Sequence, residues 1–316
     1  MHTQDPLQGL EETEHHRLRL ELSGLPYRPL AHARRHHVVL HGMRFHYVEW
    51  GDCAGHPILF LHGGGQTCRT WDVVCHELAQ DYRCIAVDLR GHGDSEWSYE
   101  SDYRIEAYAT DTAALIDALD LAPLVIVGMS LGGVTGLHYA IGQPDRVSGF
   151  VAVDVGPWVN VEGALPIRQF MQEVGSLDQL EQFVDAALRF NPRRDARLLR
   201  HSLWNNLRSC PDGRLMWKTD LRRRGERSAV VAEALGALQQ RIADLRCPTL
   251  IVRGGDSPIL GEEHAQRFAE AIPHGRWIAI EGAGHNVQGD QPRALVQALR
   301  TFLAEIALPD RSLSRS

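Results

Sequence analysis

Short apolar runs alternate with longer amphipathic segments from about residue 36 onward. The near-continuous apolar runs are typical of buried parallel strands that are covered on both faces. An earlier stretch, FHYVEWG, alternates with period two, as an antiparallel strand does. The apolar runs are PILFLHG, CIAVDLRG, LVIVGMS, FVAVDVG, TLIVRGG and WIAIEGAGH, and helix-like segments such as IEAYATDTAALIDALD separate them. This alternation predicts an α/β fold with a mostly parallel, doubly wound sheet and right-handed crossovers.

The alternation breaks once, after the run FVAVDVG. From Pro157 to Ala243 the pattern is that of amphipathic helices, such as SLDQLEQFVDAALRFN, with no buried-strand run. We interpret this segment as a helical cap over the carboxyl ends of the strands. The predicted organisation is an N-terminal arm (1–35), solvated and partly disordered, a core (36–156 and 244–308), the cap (157–243) and a C-terminal tail (309–316).

Composition narrows the class of protein. Hydrophobic residues make up 44% and charged residues 23%, as in a globular protein with a full core, and the formal net charge is -7. The acidic balance weighs against nucleic acid as a partner. No apolar run approaches the length of a membrane helix, and the first residues do not read as a secretory signal. Six cysteines without CxxC spacing favour reduced thiols in the cytoplasm. Seventeen histidines show no metal-ligand spacing, so we expect no metal.

One serine stands among glycines where an apolar run changes to a helical pattern, in LVIVGMSLGGVTGLHYA. A serine at such a sharp strand-to-helix turn is forced toward positive φ, at a cost of about 1–3 kcal/mol. Side chains at Gly128 and Gly132 would collide across the turn, which explains both glycines. This pattern is the G-x-S-x-G nucleophile elbow in its required context, and it predicts that Ser130 is a nucleophile.

A second glycine-rich segment, LFLHGGGQTCRTW, follows another predicted strand. Its backbone amides can approach a substrate oxygen without obstruction by side chains. We therefore predict that the amides of Gly64 and Leu131 form an oxyanion hole. A phosphate-binding P-loop is excluded because the G-K-[ST] ending is missing. His62 is predicted to be a structural hydrogen-bonding residue.

A histidine late in the chain completes the pattern. In IAIEGAGHNVQGDQP, His285 follows a predicted strand by way of small residues. A base is expected there if the chain order is serine, acid, histidine. Its neutral imidazole would accept the serine proton and return it to the leaving group.

With VDLRGHGDS added to these segments, the chain resembles the α/β-hydrolase superfamily, specifically bacterial members with an HGGG loop, a DLRGHG turn and a C-terminal GAGH. The resemblance spans about residues 38 to 305 and places the cap after the sixth strand. It implies a serine-type site without a cofactor but leaves the substrate open. Ser130 stands where dehalogenases and epoxide hydrolases of the superfamily carry an aspartate, so neither activity is expected.

The third member of the triad has two candidates. In the superfamily the acid usually follows the seventh strand, commonly three residues past a glycine, but here Asp256 lies two past Gly254 and Ser257 takes the usual place. Asp154, after the sixth strand, is the alternative, since some members draw the acid from there. Base rates within the fold slightly favour Asp256.

The substrate pocket is predicted from position alone. Trp71 closes the HGGG loop and Met129 precedes the candidate nucleophile, while Trp158 begins the cap. All three are predicted to line the acyl pocket. Asp88 is expected to anchor its own loop through Arg90 or backbone amides.

These features predict a hydrolase that cleaves carboxylic esters or lactones of small organic substrates through an acyl-enzyme. It is expected to be cytoplasmic, a monomer or homodimer, and to bind neither nucleic acid nor membranes. Two alternatives remain open. One is a carbon–carbon bond hydrolase or cofactor-free perhydrolase with the same triad, and the other is a ligand sensor on a hydrolase scaffold.

Overall fold

The computed structural model describes residues 12–28, 33–52, 54–190, 194–222 and 227–308. Its strands are β1 (Arg34–Leu40), β2 (Met43–Trp50), β3 (His56–Leu61), β4 (Tyr82–Val87), β5 (Leu124–Met129), β6 (Val147–Val153), β7 (Ser176–Leu177), β8 (Leu207–Ser209), β9 (Leu215–Trp217), β10 (Thr249–Gly254) and β11 (Gly275–Ile280). Its α-helices are α1 (Glu12–Leu22), α2 (Asp72–Leu78), α3 (Ile105–Ala118), α4 (Leu131–Gly142), α5 (Leu165–Glu173), α6 (Leu180–Phe190), α7 (Ala196–Asn206), α8 (Arg227–Arg241), α9 (Glu262–Glu270), α10 (Val287–Asp290) and α11 (Pro292–Glu305).

The main sheet has eight strands in the order β1-β2-β4-β3-β5-β6-β10-β11. The strands from β4 to β11 in this order pair in parallel, whereas β2 pairs antiparallel with both β1 and β4. The predicted α/β class and the antiparallel FHYVEWG strand are therefore confirmed. In a sheet of this kind the loops at the carboxyl ends of the parallel strands meet along one edge.

Two apolar cores cover the two faces of the sheet, and β5 shows why its sequence is continuously apolar. Leu124 and Ile126 belong to the core beneath α3, α4, α8 and α9, while Val125 and Val127 belong to the core beneath α2 and α11. Successive side chains of a strand point to opposite faces, so a strand buried on both faces needs apolar residues at every position.

The chain between β6 and β10 forms the predicted insertion, but it is not purely helical. Helices α5 to α8 accompany a small antiparallel sheet with the order β7-β9-β8. These strands are two or three residues long, too short for period-two alternation to be visible in the sequence. The insertion has its own core, in which Trp217 packs edge-on against Phe183.

The insertion contacts loops at the carboxyl edge of the main sheet. Thr67 Oγ1, in the loop after β3, donates to Asn206 Oδ1. The Asp220 amide donates to the Gly91 carbonyl, in the loop after β4, and Tyr103 Oη donates to the Asp220 carboxylate. The insertion therefore packs on the edge where ligands bind in open α/β sheets.

The prediction of a solvated N-terminal arm is wrong for Glu12–Leu22, which forms α1. Leu20 is fully buried, and Arg19 pairs with the buried Asp72 of α2. The helix was missed because only a few apolar positions anchor it, so its sequence shows little amphipathic periodicity. Residues 1–11 and the predicted tail 309–316 lie outside the described residues.

The described cysteines, which exclude Cys53, form no disulfide bonds. Within the described ranges, no helix has both the length and the hydropathy that crossing a bilayer requires.

Candidate active site

Ser130 lies on the turn between β5 and α4 with φ 50° and ψ −116°. This strained backbone is the one that the glycine pattern predicts. A Cβ at Gly128 would lie 2.5 Å from the Gly132 carbonyl oxygen, and one at Gly132 would lie 2.3 Å from the Leu61 carbonyl oxygen. The Ser130 amide donates to the Val153 carbonyl over 3.3 Å, which ties the turn to the end of β6.

Asp154 stands beside this turn. Met129 pairs with Val153 across β5 and β6, so Ser130 and Asp154 directly follow paired residues. Asp154 also has positive φ (51°), and its side chain is completely buried. A carboxylate buried in this way must receive hydrogen bonds to remain charged.

Three donors satisfy the Asp154 carboxylate. The Gly254 amide donates to Oδ1 over 2.9 Å, while the Ser257 hydroxyl donates to Oδ2 over 2.5 Å. The third donor is Nδ1 of His285, 2.7 Å from Oδ2. Because an ionised carboxylate only accepts, Nδ1 carries the proton, and Nε2 of the neutral ring is left as the acceptor.

His285 lies in the loop between β11 and α10, and its side chain is 14% exposed. The loop is fixed by Asp290, whose carboxylate accepts from the Gly284 amide and pairs with Arg194. His285 is thus held at one nitrogen and partly open to solvent, the arrangement that a base needs in order to exchange protons with a substrate.

The structure corrects the preference for Asp256 as the acid. Asp256 is exposed, whereas Asp154 is the carboxylate hydrogen-bonded to His285 Nδ1. Ser257, at the position where the acid usually stands, points inward to Asp154 and also accepts from the Ile259 amide. The one-residue slip noted in the sequence therefore turns Asp256 to solvent and substitutes a hydroxyl donor for the usual carboxylate.

The glycine loop after β3 is held by polar contacts. His62 is buried, with Nδ1 bonded to the Gly63 carbonyl and Nε2 accepting from the Leu89 amide, so its predicted structural role is confirmed. Burial lowers the pKa of His62, which keeps the ring neutral. The Gly63 amide donates to Gln66 Oε1 over 3.0 Å, and is therefore not available to a substrate.

The two amides predicted to form the oxyanion hole are those of Gly64 and Leu131. Neither donates to an acceptor within the part of the chain that the structure describes. Gly64 is exposed, and a Cβ there would meet nothing within 4 Å, so the space beside it is open. Gly63, which precedes Gly64, lies close to the nucleophile turn. A Cβ at Gly63 would be 3.4 Å from the Cβ of Ser130.

Sequence reasoning missed a set of amide side chains that join the glycine loop to the His285 loop. Gln66 Nε2 donates to Asn286 Oδ1 over 3.1 Å. Gln288 Nε2 contacts Gln66 Oε1 and Thr70 Oγ1. The signal was present in the sequence, because these residues lie inside HGGGQ and GAGHNVQ. Their effect is to fix the distance between the two loops.

The predicted pocket residues differ in their surroundings. Trp71 is fully buried and packs on Phe60 in the core beneath α2, so the prediction that it lines the pocket is wrong. Trp158 is half-buried beneath the Arg267 guanidinium, which lies 4.3 Å from the ring centroid. Met129 is nearly buried, with its sulfur beside Gly63 and hence next to the glycine loop.

Asp88, at the carboxyl end of β4, anchors loops as expected, through backbone amides and not through Arg90. Its carboxylate accepts from the amides of Cys68 and Asp94 and contacts His46 Nδ1. Burial alone would raise the pKa of Asp88, but the contact with His46 and the amide donors hold it well below its usual range.

His46, Cys68 and Asp88 form the one group of potential metal ligands within the described ranges. The Asp88 oxygens already accept from protein donors, which accounts for the cluster without an ion. Burial raises the pKa of the Cys68 thiol, so this residue of the glycine loop is a poor nucleophile.

Comparison with known proteins gives consistent matches over most of the chain. The model of a family described as alpha/beta hydrolase fold matches residues 56–292. Esterase Rv0045c of Mycobacterium tuberculosis is 32% identical over 267 residues, which cover 81% of this chain and 85% of the esterase. A solved structure of that esterase superposes with a TM-score of 0.77 at 28% identity and covers 94% of this chain and 100% of that chain.

Two further relatives carry names that describe different reactions. The sn-1-specific diacylglycerol lipase ABHD11 of Mus musculus is 28% identical over 264 residues, covering 80% of this chain and 83% of the lipase. The 2-hydroxy-6-oxo-2,4-heptadienoate hydrolase of Pseudomonas putida is 27% identical over 267 residues, covering 79% of this chain and 90% of the hydrolase.

Proposed function

The chain belongs to the α/β-hydrolase fold family, and we propose that within it the chain is a serine hydrolase of carboxylic esters, including lactones. The observation that carries this proposal is the Asp154–His285 pair at the strand end beside the strained Ser130 turn. Two relatives named as an esterase and a lipase support the ester class.

In the first half of the proposed reaction, the Ser130 hydroxyl attacks the acyl carbon of the ester. His285 Nε2 accepts the hydroxyl proton, and the ionised Asp154 stabilises the imidazolium that results. The amides of Gly64 and Leu131 donate to the oxyanion of the tetrahedral intermediate. One such donor typically contributes about 2.7–4 kcal/mol to the stability of the transition state.

Collapse of this intermediate breaks the ester bond. The imidazolium returns its proton to the departing alkoxide, which leaves as an alcohol, and Ser130 carries the acyl group. In the second half, His285 accepts a proton from water while that water attacks the acyl carbon. Release of the carboxylic acid restores the serine hydroxyl and the neutral imidazole.

Ser257 is proposed to position the acid. Its hydroxyl donates to Asp154 Oδ2, the same oxygen that His285 contacts, and the Gly254 amide holds the other oxygen. Hydrogen bonds to a charged group contribute about 1.5–3 kcal/mol. These bonds fix the carboxylate so that it can orient the imidazole.

The insertion is proposed to act as a cap. It contacts the loops after β3 and β4 through Asn206 and Asp220, next to the glycine loop. A cap in this position would exclude water and select the acyl group. We further propose that the substrate is a small organic molecule and that the reaction needs no cofactor.

A fluorophosphonate probe tests the proposal. The wild-type protein should be labelled stoichiometrically, on the Ser130 peptide, and should hydrolyse p-nitrophenyl esters. Ser130→Ala should lose both properties, while Ser148→Ala, a half-buried serine at the start of β6, should keep them. An unlabelled wild-type protein would favour the sensor hypothesis instead.

A carbon–carbon bond hydrolase is the second candidate, because the relative from Pseudomonas putida matches over a similar share of the chain. Vinylogous diketones separate the two activities. Faster turnover of a diketone than of any ester in a panel of varied acyl size would move the assignment to that class.

A further inference from the structure

A cavity distinct from the Ser130 site lies where three segments meet. The β1–β2 hairpin, the loop after β4 and the small sheet of the insertion line an open cavity of about 550 Å³. Pockets for small organic ligands have volumes of about 300–1,000 Å³. Neither Ser130 nor His285 contributes to its walls.

The walls of this cavity carry opposite charge to the rest of the chain. Two carboxylates, Asp94 and Glu96, face a larger number of cationic side chains. The formal net charge of the whole chain is -7, so a basic cavity is a local feature. The cationic side chains are those of Arg35, Arg44, Arg208 and Lys218.

The two carboxylates are engaged by groups of the same walls. Lys218 Nζ lies 2.8 Å from Asp94 Oδ1, and Glu96 Oε2 accepts from the Arg44 amide over 2.8 Å. Their charge therefore neutralises only part of the positive wall.

An aromatic ring holds one of the arginines in place. The Arg208 guanidinium lies 4.4 Å from the centroid of the Trp97 ring, and Arg222 lies 5.4 Å from it. Stacking leaves the edge of a guanidinium, with its N–H groups, available for a bidentate acceptor. A planar fork held in this way suits a carboxylate or phosphate.

An unpartnered buried nitrogen provides an independent observation. His46 lines the cavity and is 2% exposed. Its Nδ1 contacts Asp88, but its Nε2 is buried and has no hydrogen-bond partner in the described structure. Buried polar atoms without a partner are uncommon and point to a missing ligand or solvent. The hydroxyl of a hydrogen phosphate ion can donate to Nε2.

From these observations we propose that the cavity binds a phosphate group, either as inorganic phosphate or as part of a phosphate monoester. Arg44 and Arg208 provide the N–H donors, and His46 Nε2 meets the third oxygen. A dianion matches the excess of cationic over acidic side chains better than a monocarboxylate does. This site is independent of the proposed ester hydrolysis.

Isothermal titration calorimetry with inorganic phosphate, at constant ionic strength, tests the site. The wild-type protein should bind one phosphate, and Arg44→Gln/Arg208→Gln should bind it about tenfold more weakly or worse. Arg241→Gln/Arg276→Gln is the matched control, because both arginines are surface residues in ion pairs away from the cavity. Its affinity should equal that of the wild-type protein.

A variant that is expected to bind phosphate more tightly is a further test, because a failure to fold cannot tighten binding. Asp94→Asn removes a carboxylate from the wall and should tighten phosphate binding. No binding by the wild-type protein at about 10 mM phosphate, or equal affinity in all four proteins, would overturn the proposal. Calorimetry detects binding whether or not Ser130 cleaves an ester, so the two proposals fail separately.

A comparison of two ligands identifies the source of the phosphate. Glycerol 3-phosphate binding more tightly than inorganic phosphate would assign the cavity to a phosphate monoester. The reverse order would assign it to the free ion. In both cases the arginine variant must weaken binding.

Discussion

Two buried aspartates stand at the carboxyl ends of parallel strands, Asp154 after β6 and Asp88 after β4. The Asp154 carboxylate accepts from one backbone amide and the Asp88 carboxylate from two, and each contacts Nδ1 of a histidine, at 2.7 Å from His285 and 2.8 Å from His46. By local chemistry alone the two pairs are nearly equivalent.

The surroundings of the second ring nitrogen separate the two pairs. The His285 side chain lies on the loop after β11, is 14% exposed, and contacts Asp154, which stands beside the Ser130 turn. The His46 side chain lies within β2, is 3% exposed, and faces the basic cavity. An Asp–His pair therefore indicates a fixed imidazole and no more. The surroundings of Nε2, the ring nitrogen that does not contact the carboxylate, determine whether the pair activates a nucleophile or anchors a loop.

The largest effect on kcat is expected from substitution of His285, the histidine on the loop after β11. His285→Ala removes the only proposed base, so kcat for a p-nitrophenyl ester should fall about 10⁴-fold or more. His274→Ala, an exposed histidine, is the control and should remain within about twofold. A similar kcat for His285→Ala and wild type would place the base elsewhere.

The pair of Asp88 and His46 is expected to contribute to the stability of the fold and not to catalysis. Asp88→Asn places an amide against three donors in a buried site, and should lower the free energy of unfolding by about 3 kcal/mol. Urea unfolding at pH 7 measures the change. Asp244→Asn, in an exposed ion pair with Arg241, should cost about 0.5 kcal/mol or less. A loss below about 1 kcal/mol for Asp88→Asn would deny it the anchoring role.

A smaller effect is expected from the hydroxyl that supports Asp154. Ser257→Ala removes one donor and should lower kcat about tenfold, while Ser257→Thr keeps the hydroxyl and should restore most of the activity. Equal losses of kcat in Ser257→Ala and Ser257→Thr would assign the residue to packing.

The smallest effect concerns a histidine pair that lacks a carboxylate. His16 Nε2 and His76 Nδ1 are 3.0 Å apart between α1 and α2. Burial is the largest cause that lowers the pKa of His16 to about 2 and that of His76 to about 4, from 6.5. Their neutral forms stabilise the fold above pH 6.5, and this stability is lost as the pH falls toward 4.

Thermal unfolding between pH 7 and pH 4 measures this loss. Tm should fall over this window by at least about 2 °C more in the wild-type protein than in His76→Gln, which does not titrate there. Parallel curves for the two proteins would show that the pair does not contribute to acid sensitivity.

The features that the sequence predicted correctly are encoded by residues that lie close together in the chain. The turn at Ser130 is encoded by neighbouring glycines, so its geometry followed from a short segment. The continuous apolar runs likewise identified the buried strands, because both faces of the sheet are covered. His285 was found from its place after a strand and a small-residue loop.

The features that escaped prediction depend on distant partners. Asp154 and Asp256 both follow strands, and only the inward turn of Ser257 decides between them. The burial of Trp71 depends on α2 packing beneath β3. Helix α1 is defined by contacts with residues far along the chain, such as Asp72. None of these contacts leaves a periodic signal in the sequence.

The central claim is that Asp154, and not Asp256, acts with His285 on Ser130, and kcat for one ester in two matched variants tests it most directly. Asp154→Asn keeps the side-chain shape and tolerates positive φ, so the loss should be catalytic, about 10³–10⁴-fold. Asp256→Asn, one residue before Ser257 and exposed, should stay within about threefold of wild type. The reverse ranking, or equal losses in both variants, would contradict the assignment.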